Sequence, residues 1–232
     1  MENICENIRT VNARISEACS KSDRQKSEIK LVAVSKRKPL TLVAEALECG
    51  QLDFGENSAQ ELRDKARDIK NNDVIWHFIG NLQKNKIKYV APVVTMIHSV
   101  SSLELASAIN AWLESHPDTG PIDALIQIHT GKEEEKHGVN RESFLNEMQQ
   151  WKALANLRFC GVMTMATNTT EEGEIRRCFA EARNFFDELK RGDFPEPHFQ
   201  WLSMGMTNDF EIAIEEGANL LRIGSAIFGQ RQ

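Results

Sequence analysis

The stretch KLVAVSKRKPLTLVAEALECGQLDFGE, residues 30–56, decides the fold. Residues 31–34 form a short apolar run that stops at a polar turn, Ser35-Lys36-Arg37-Lys38, followed by Pro39. Residues 39–49 then place apolar side chains at helical spacing, with proline in the first-turn position where its missing N–H costs nothing. A second apolar run, 52–55, follows. Strand, helix and strand in that order form a parallel crossover unit. The unit recurs along the chain. Strands are predicted at 30–35, 52–55, 76–79, 96–99, 124–128, 159–163, 199–203 and 220–224. Helices are predicted at 39–49, 57–70, 83–91, 101–115, 140–154, 171–190 and 208–216, with one more over roughly 3–20 before the first strand. Ser101-x-x-Glu104 reads as a capping box, and Ile175, Phe179, Ala182, Phe186 and Leu189 share one helix face. Eight alternating repeats favour a closed (β/α)8 TIM barrel with an extra N-terminal helix over an open doubly wound sheet.

Composition fits one domain over residues 1–232: with 41% hydrophobic and 27% charged residues, the chain can bury a single large core. The N-terminus mixes charge into every few apolar residues, and no apolar run reaches spanning length. A cytoplasmic protein without membrane contact is expected. A net charge of −6 argues against nucleic-acid binding, and the basic groups Lys36-Arg37-Lys38 and Lys84, Lys86, Lys88 read as solvated surface or as a local anion contact. Cys5, Cys19, Cys49, Cys160 and Cys178 are odd in number, dispersed and without a C-x-x-C pair, so they read as reduced thiols. Asn168-Thr169-Thr170 matches a glycosylation acceptor but reads as a helix start.

Chemistry in such a barrel sits at the C-terminal strand ends. The residues there are Lys36, Glu56, Asn57, His77, Gly80, His98, Ser99, His129, Met163, Thr164, Ser203, Arg222, Gly224 and Ser225. A lysine at the mouth of an apolar barrel is partly desolvated, which favours the neutral amine and hence Schiff-base chemistry with an aldehyde. Taken alone, Lys36 reads better as a rim lysine whose stem covers apolar surface. The loops Ser203-Met204-Gly205-Met206-Thr207 and Gly224-Ser225-Ala226 add a second signal, since the turns after strands seven and eight commonly bind phosphate. An amine and a phosphate cradle together point to pyridoxal 5′-phosphate. His77 reads either as a hydrogen-bonded core histidine or as a cofactor-stacking one, and Asn57 either as a ring contact or as a helix cap. His77, His98 and His129 lack interleaved carboxylates, which argues against a metal. Met163, Met165, Met204 and Met206 read as pocket lining.

The motifs VAVSKRKP, FGENSAQE, WHFIGNLQKNK, EEEKHG, SMGMTND and RIGSAIFG, in this order and spacing, resemble the YggS/PROSC family of pyridoxal phosphate homeostasis proteins over nearly the whole chain. The resemblance implies an alanine-racemase N-terminal-domain-like barrel without the racemase's second domain. It implies that Lys36 carries the cofactor as a Schiff base, that Ser203, Gly224 and Ser225 lie where related racemases bind phosphate, and that Arg222 faces the pyridine nitrogen. Departures are visible. Where the family commonly has Asn-x-Ser after strand five, this chain has His129 and Gly131; Met165-Ala166 replaces an aliphatic–proline step, and Thr207 replaces a serine. The expected function is a cofactor carrier in vitamin B6 homeostasis that supplies apo-enzymes. A racemase needs a second acid–base group from its other domain, yet this chain ends at Gln232 and its only tyrosine is Tyr89. A weak racemase or decarboxylase and a cofactor-free Schiff-base aldolase are the alternatives.

Overall fold

The computed structural model describes residues 3–131, 138–192, 194 and 198–230. Its elements are α1 (Ile4–Lys21), β1 (Lys30–Val34), α2 (Leu40–Glu48), β2 (Asp53–Glu56), α3 (Ala59–Asp68), β3 (Ile75–Phe78), α4 (Ile87–Val90), β4 (Met96–Val100), α5 (Leu103–Glu114), β5 (Ile122–Gln127), α6 (Arg141–Lys152), β6 (Leu157–Met163), α7 (Glu172–Arg191), β7 (Trp201–Ser203), α8 (Phe210–Glu215), β8 (Leu220–Ile223) and α9 (Ser225–Phe228). The strands pair in chain order, all in parallel, and β8 returns to β1 through Lys30↔Leu220 and Ala33↔Ile223 to close the barrel.

Alternation along each strand separates two cores. Val32, Met96, Leu125, Cys160, Met163 and Leu220 pack together inside the barrel. Between sheet and helices lies a larger layer that includes Phe54, Phe78, Phe144, Trp151, Phe179 and Phe199. Helix α1 buries Ile4, Ile8, Val11, Ile15 and Ala18 at helical spacing and packs against α2, α8 and α9. A Cβ on Gly161 would stand 1.8 Å from the Trp201 carbonyl, so only glycine lets β7 approach β6 this closely. Among the described residues no helix is long and apolar enough to cross a membrane.

Several local expectations are corrected. Cys5 and Cys49 form a disulfide, with Cα atoms 5.4 Å apart, whereas Cys19, Cys160 and Cys178 are free and buried. Cys5 lies in the first turn of α1 and Cys49 caps α2; the packing of the two helices brings together residues 44 positions apart. The cap of α5 is Ser102, whose extended backbone lets its hydroxyl accept from Leu105 N–H at 3.1 Å, so the Ser101 box does not form. Ser58 rather than Asn57 caps α3. The helix predicted at 83–91 is a 3₁₀ turn, Lys84–Lys86, followed by α4. Thr169 precedes α7 in a turn, its hydroxyl accepting from Glu171 N–H.

Candidate functional site at the mouth of the barrel

Lys36 follows β1 by two residues, in a turn closed by Lys38 N–H donating to Ser35 O at 3.0 Å. The Lys36 side chain is partly exposed, and Arg37 beside it sits at φ +58°, in the left-handed region. Across the mouth, the loops after β7 and β8 meet. The Ser225 hydroxyl donates to Thr207 Oγ1 at 3.1 Å, and Ala226 N–H approaches the same oxygen at 3.4 Å. Gly205 holds φ +94°, and a Cβ there would lie 2.7 Å from the Ala213 Cβ; at Gly224 it would lie 3.1 Å from Val34 O. Met206 is exposed on this rim, Met165 likewise, while Met163 and Met204 are buried.

Ser203 belongs to a different part of the site from Thr207 and Ser225. It is fully buried, and its Oγ accepts from Arg222 Nη1 at 2.6 Å and lies 3.0 Å from His98 Nδ1. His98 Nε2 is 2.9 Å from His77 Nδ1, and His77 Nε2 is 2.9 Å from Asp53 Oδ1. Lys30 Nζ completes the series at 3.1 Å from the same Asp53 oxygen. A hydrogen-bonded chain thus crosses the barrel interior from Arg222, near the mouth, to Asp53 at the opposite end of the strands. Its polarity follows from chemistry. Arginine only donates, an ionised carboxylate only accepts, and with neutral imidazoles each link is made once only if the direction is Arg222 to Ser203 to His98 to His77 to Asp53. Both histidines then carry their proton on Nε2.

The electrostatics agree. Burial, then the neighbouring His77 and Arg222, push the His98 pKa well below the usual histidine range, so the ring is neutral. Burial opposes ionisation of Asp53, but His77 and Lys30 outweigh it and the net shift is downward. Arg222 is lowered by burial to about 10, partly offset by Asp209, and remains a guanidinium at neutral pH. Its Nη2 donates to Thr164 O at 2.9 Å. Asp209, raised by burial, accepts from Met206 N–H and so shapes the β7–α8 loop.

The structure therefore gathers Lys36, Met163, Gly205, Met206, Thr207, Gly224 and Ser225 around the mouth, and Ser203 with Arg222 beneath it. Asn57 is exposed one residue beyond β2. His77 is a core histidine whose two ring nitrogens are both engaged. Glu133 and Lys136 lie outside the described residues; Gly131 holds φ +97°, which strains any other residue, and a Cβ there would stand 2.8 Å from Thr167 Oγ1, so that side chain would have to shift. Asp53 was missed. Its signal was the inward phase of β2, which it shares with Gly55.

Fold and site together define a class: single (β/α)8 barrels with a lysine after the first strand and a hydroxyl-lined loop pair after the last two. The chain belongs to the alanine racemase N-terminal domain family, whose model matches residues 2–232. It is 38% identical to the pyridoxal phosphate homeostasis protein of Aquifex aeolicus over 99% of both chains. It is equally 38% identical to the protein of that name from Escherichia coli K12, over 100% of this chain and 98% of that one. Among solved structures, PipY of Synechococcus elongatus with pyridoxal phosphate bound superposes with a TM-score of 0.81 at 31% identity, covering 93% of this chain and 100% of that one. Alanine racemase of Corynebacterium glutamicum, at 16% identity, shares the fold: TM-score 0.71, 99% of this chain against 61% of the racemase.

Proposed function

We propose that this protein binds pyridoxal 5′-phosphate through Lys36 and serves to hold and hand on the cofactor within vitamin B6 homeostasis, rather than to racemise amino acids. The residues fit the group. A hydroxyl pair with close backbone approach at Gly205 and Gly224 suits a phosphate, and a buried guanidinium with no ion pair among the described residues suits a neutral ring nitrogen. When bound, the cofactor supplies an aldehyde that condenses with a primary amine and releases one water. On the protein's side, Lys36 would provide that amine, Thr207 and Ser225 would hold the phosphate end, and Arg222 would donate to the ring nitrogen and favour its unprotonated form. Proton exchange at an amino-acid α-carbon is weakly supported by such a ring. Racemisation also needs a second acid–base group.

The observation that carries the carrier reading is the place of Tyr89, the one tyrosine in the sequence. It lies on the outer helix α4 beneath the Arg63 guanidinium, 5.2 Å from its ring, with Lys86 and Lys88 also against it, and is not at the barrel mouth. The test is to load the protein, reduce with borohydride and map the labelled peptide, then to assay alanine and other amino acids for racemisation and an apo-enzyme for reactivation. The expected result is label on Lys36, none there in Lys36→Ala, negligible racemisation and restored apo-enzyme activity. Robust racemisation, or wild-type label on Lys84 or Lys136 instead, overturns the reading.

A further inference from the structure

Behind the Lys36 turn, on the side facing away from the barrel axis, α3 carries a buried ionic cluster that the cofactor reading does not use. Lys65 has 7% of its side chain exposed and Glu56 none. The Lys65 ammonium donates to Ser35 O at 2.7 Å, Glu56 Oε1 at 2.7 Å and Glu61 Oε1 at 2.8 Å, which occupies all three of its N–H groups. The same carboxylates reach the turn directly. Ser35 Oγ donates to Glu56 Oε1 at 2.6 Å, and Arg37 N–H donates to Glu61 Oε1 at 2.7 Å. Both residues flanking Lys36 are therefore tied to one cluster, and the left-handed conformation of Arg37, which a non-glycine residue adopts at a cost of about 1–2 kcal/mol, is held by the Glu61 bond. The arrangement is costly in itself. Glu56 Oε2 is buried without a partner among the described residues, and burial raises the Glu56 pKa despite the ammonium beside it. A site selected for stability alone is as well served by apolar residues.

We propose that Lys65, with Glu56 and Glu61, is the positioning device for the Lys36 amine: it fixes the Ser35–Lys38 turn so that the amine meets an aldehyde in the mouth from one direction. The inference rests on the cofactor reading above. It predicts a separation between holding the ligand, which the Thr207 and Ser225 loops do, and forming the covalent attachment, which needs the turn.

Two variants test it: Glu61→Ala, which removes the Arg37 N–H acceptor at a side chain 23% exposed, and the double variant Lys65→Met with Glu56→Gln, which removes the buried charges together. Three quantities are measured: hydrogen exchange at the Arg37 and Lys38 amides without added ligand, affinity for pyridoxine phosphate, which has an alcohol in place of the aldehyde, and the rate of borohydride-trapped attachment at saturating pyridoxal phosphate. We expect faster exchange at both amides, pyridoxine phosphate affinity within about twofold of wild type, and attachment slowed by about tenfold or more, because a small misplacement of a reacting group has effects of that order. Unchanged attachment in a folded variant overturns the inference. So does an equal loss of pyridoxine phosphate affinity, which marks a merely structural role. If the double variant does not fold, Glu61→Ala decides alone. Wild-type protein without label on Lys36 overturns the cofactor reading and this inference with it, whereas normal label with unchanged variant rates overturns this inference only.

Discussion

Replacing Asp53 tests the polarity of the chain that ends on it. In Asp53→Leu the His77 Nε2–H, on a side chain 2% exposed, loses its acceptor Asp53 Oδ1, and leaving a buried donor unpaired costs about 1–3 kcal/mol. The Lys30 pair, one-third exposed on the lysine side, adds up to about 1 kcal/mol after solvent screening. The sum is a loss of about 1–4 kcal/mol at pH 7. Asp53→Asn keeps an acceptor oxygen and loses only charge assistance, so it should cost about 1 kcal/mol. The sign of the pH dependence follows from the direction of the shift. The folded pKa of Asp53 lies below its unfolded value, so its charge stabilises fully above the unfolded value of about 4 and the stabilisation is lost as pH falls through the folded one. Urea midpoints at pH 7, 5 and 3 should therefore show the wild type separated from Asp53→Asn at the first two and converging with it at the last. Nitrogen NMR of the His98 imidazole should find it neutral and protonated on Nε2 at pH 7. A wild-type advantage over Asp53→Asn that is the same at pH 3 as at pH 7, or an Nδ1-protonated His98 at pH 7, refutes the directed chain.

Thr207→Val removes the oxygen that Ser225 and Ala226 approach and should narrow the preference for pyridoxal phosphate over pyridoxal by about tenfold, the equivalent of one hydrogen bond to a charged group; competition binding with the two ligands measures it, and an unchanged preference counts against the cradle. Cys5→Ser should lower the stability of the oxidised protein by about 4 kcal/mol through the loop-closure term, and the difference should vanish in reductant, as read from paired denaturation curves. Gly161→Ala should cost about 3 kcal/mol, since its methyl would collide with the Trp201 carbonyl; a neutral result in urea would mean that β6 and β7 can part without loss.

The barrel was legible because its evidence is repeated: each of eight apolar runs is followed by a polar turn and a helical pattern, and an error in one does not change the architecture. The mouth was legible for the same reason that motifs are, since Lys36, Thr207, Gly224 and Ser225 follow closely on the ends of strands, where position in the sequence already gives position in space. What lay beneath was not. His77, His98, Ser203 and Arg222 sit within strands, so each looks locally like an interruption of an apolar run, and only barrel closure shows that they meet. Lys65 lies in AQELRDKARD, where charges at nearly every position give no sign that one of them is buried. The disulfide needed the packing of α1 on α2, and the adjacent serines 101 and 102 needed backbone angles to show which one caps.

These hidden groups share a property that bears on function. Burying charge and unpaired polar atoms destabilises a core relative to apolar packing of the same volume. In this protein two such systems adjoin the mouth: one inside the barrel, ending under Arg222, and one outside it, ending on the residues either side of Lys36. The first bonds the Arg222 guanidinium directly, and the second bonds Ser35 and Arg37 on either side of Lys36. Hydrogen bonds constrain angle as well as distance, which apolar contacts do not. A barrel that only had to fold would have no use for that constraint at these two positions, whereas one that held pyridoxal phosphate as proposed above, with an amine at its aldehyde and a guanidinium at its ring nitrogen, would need it at both.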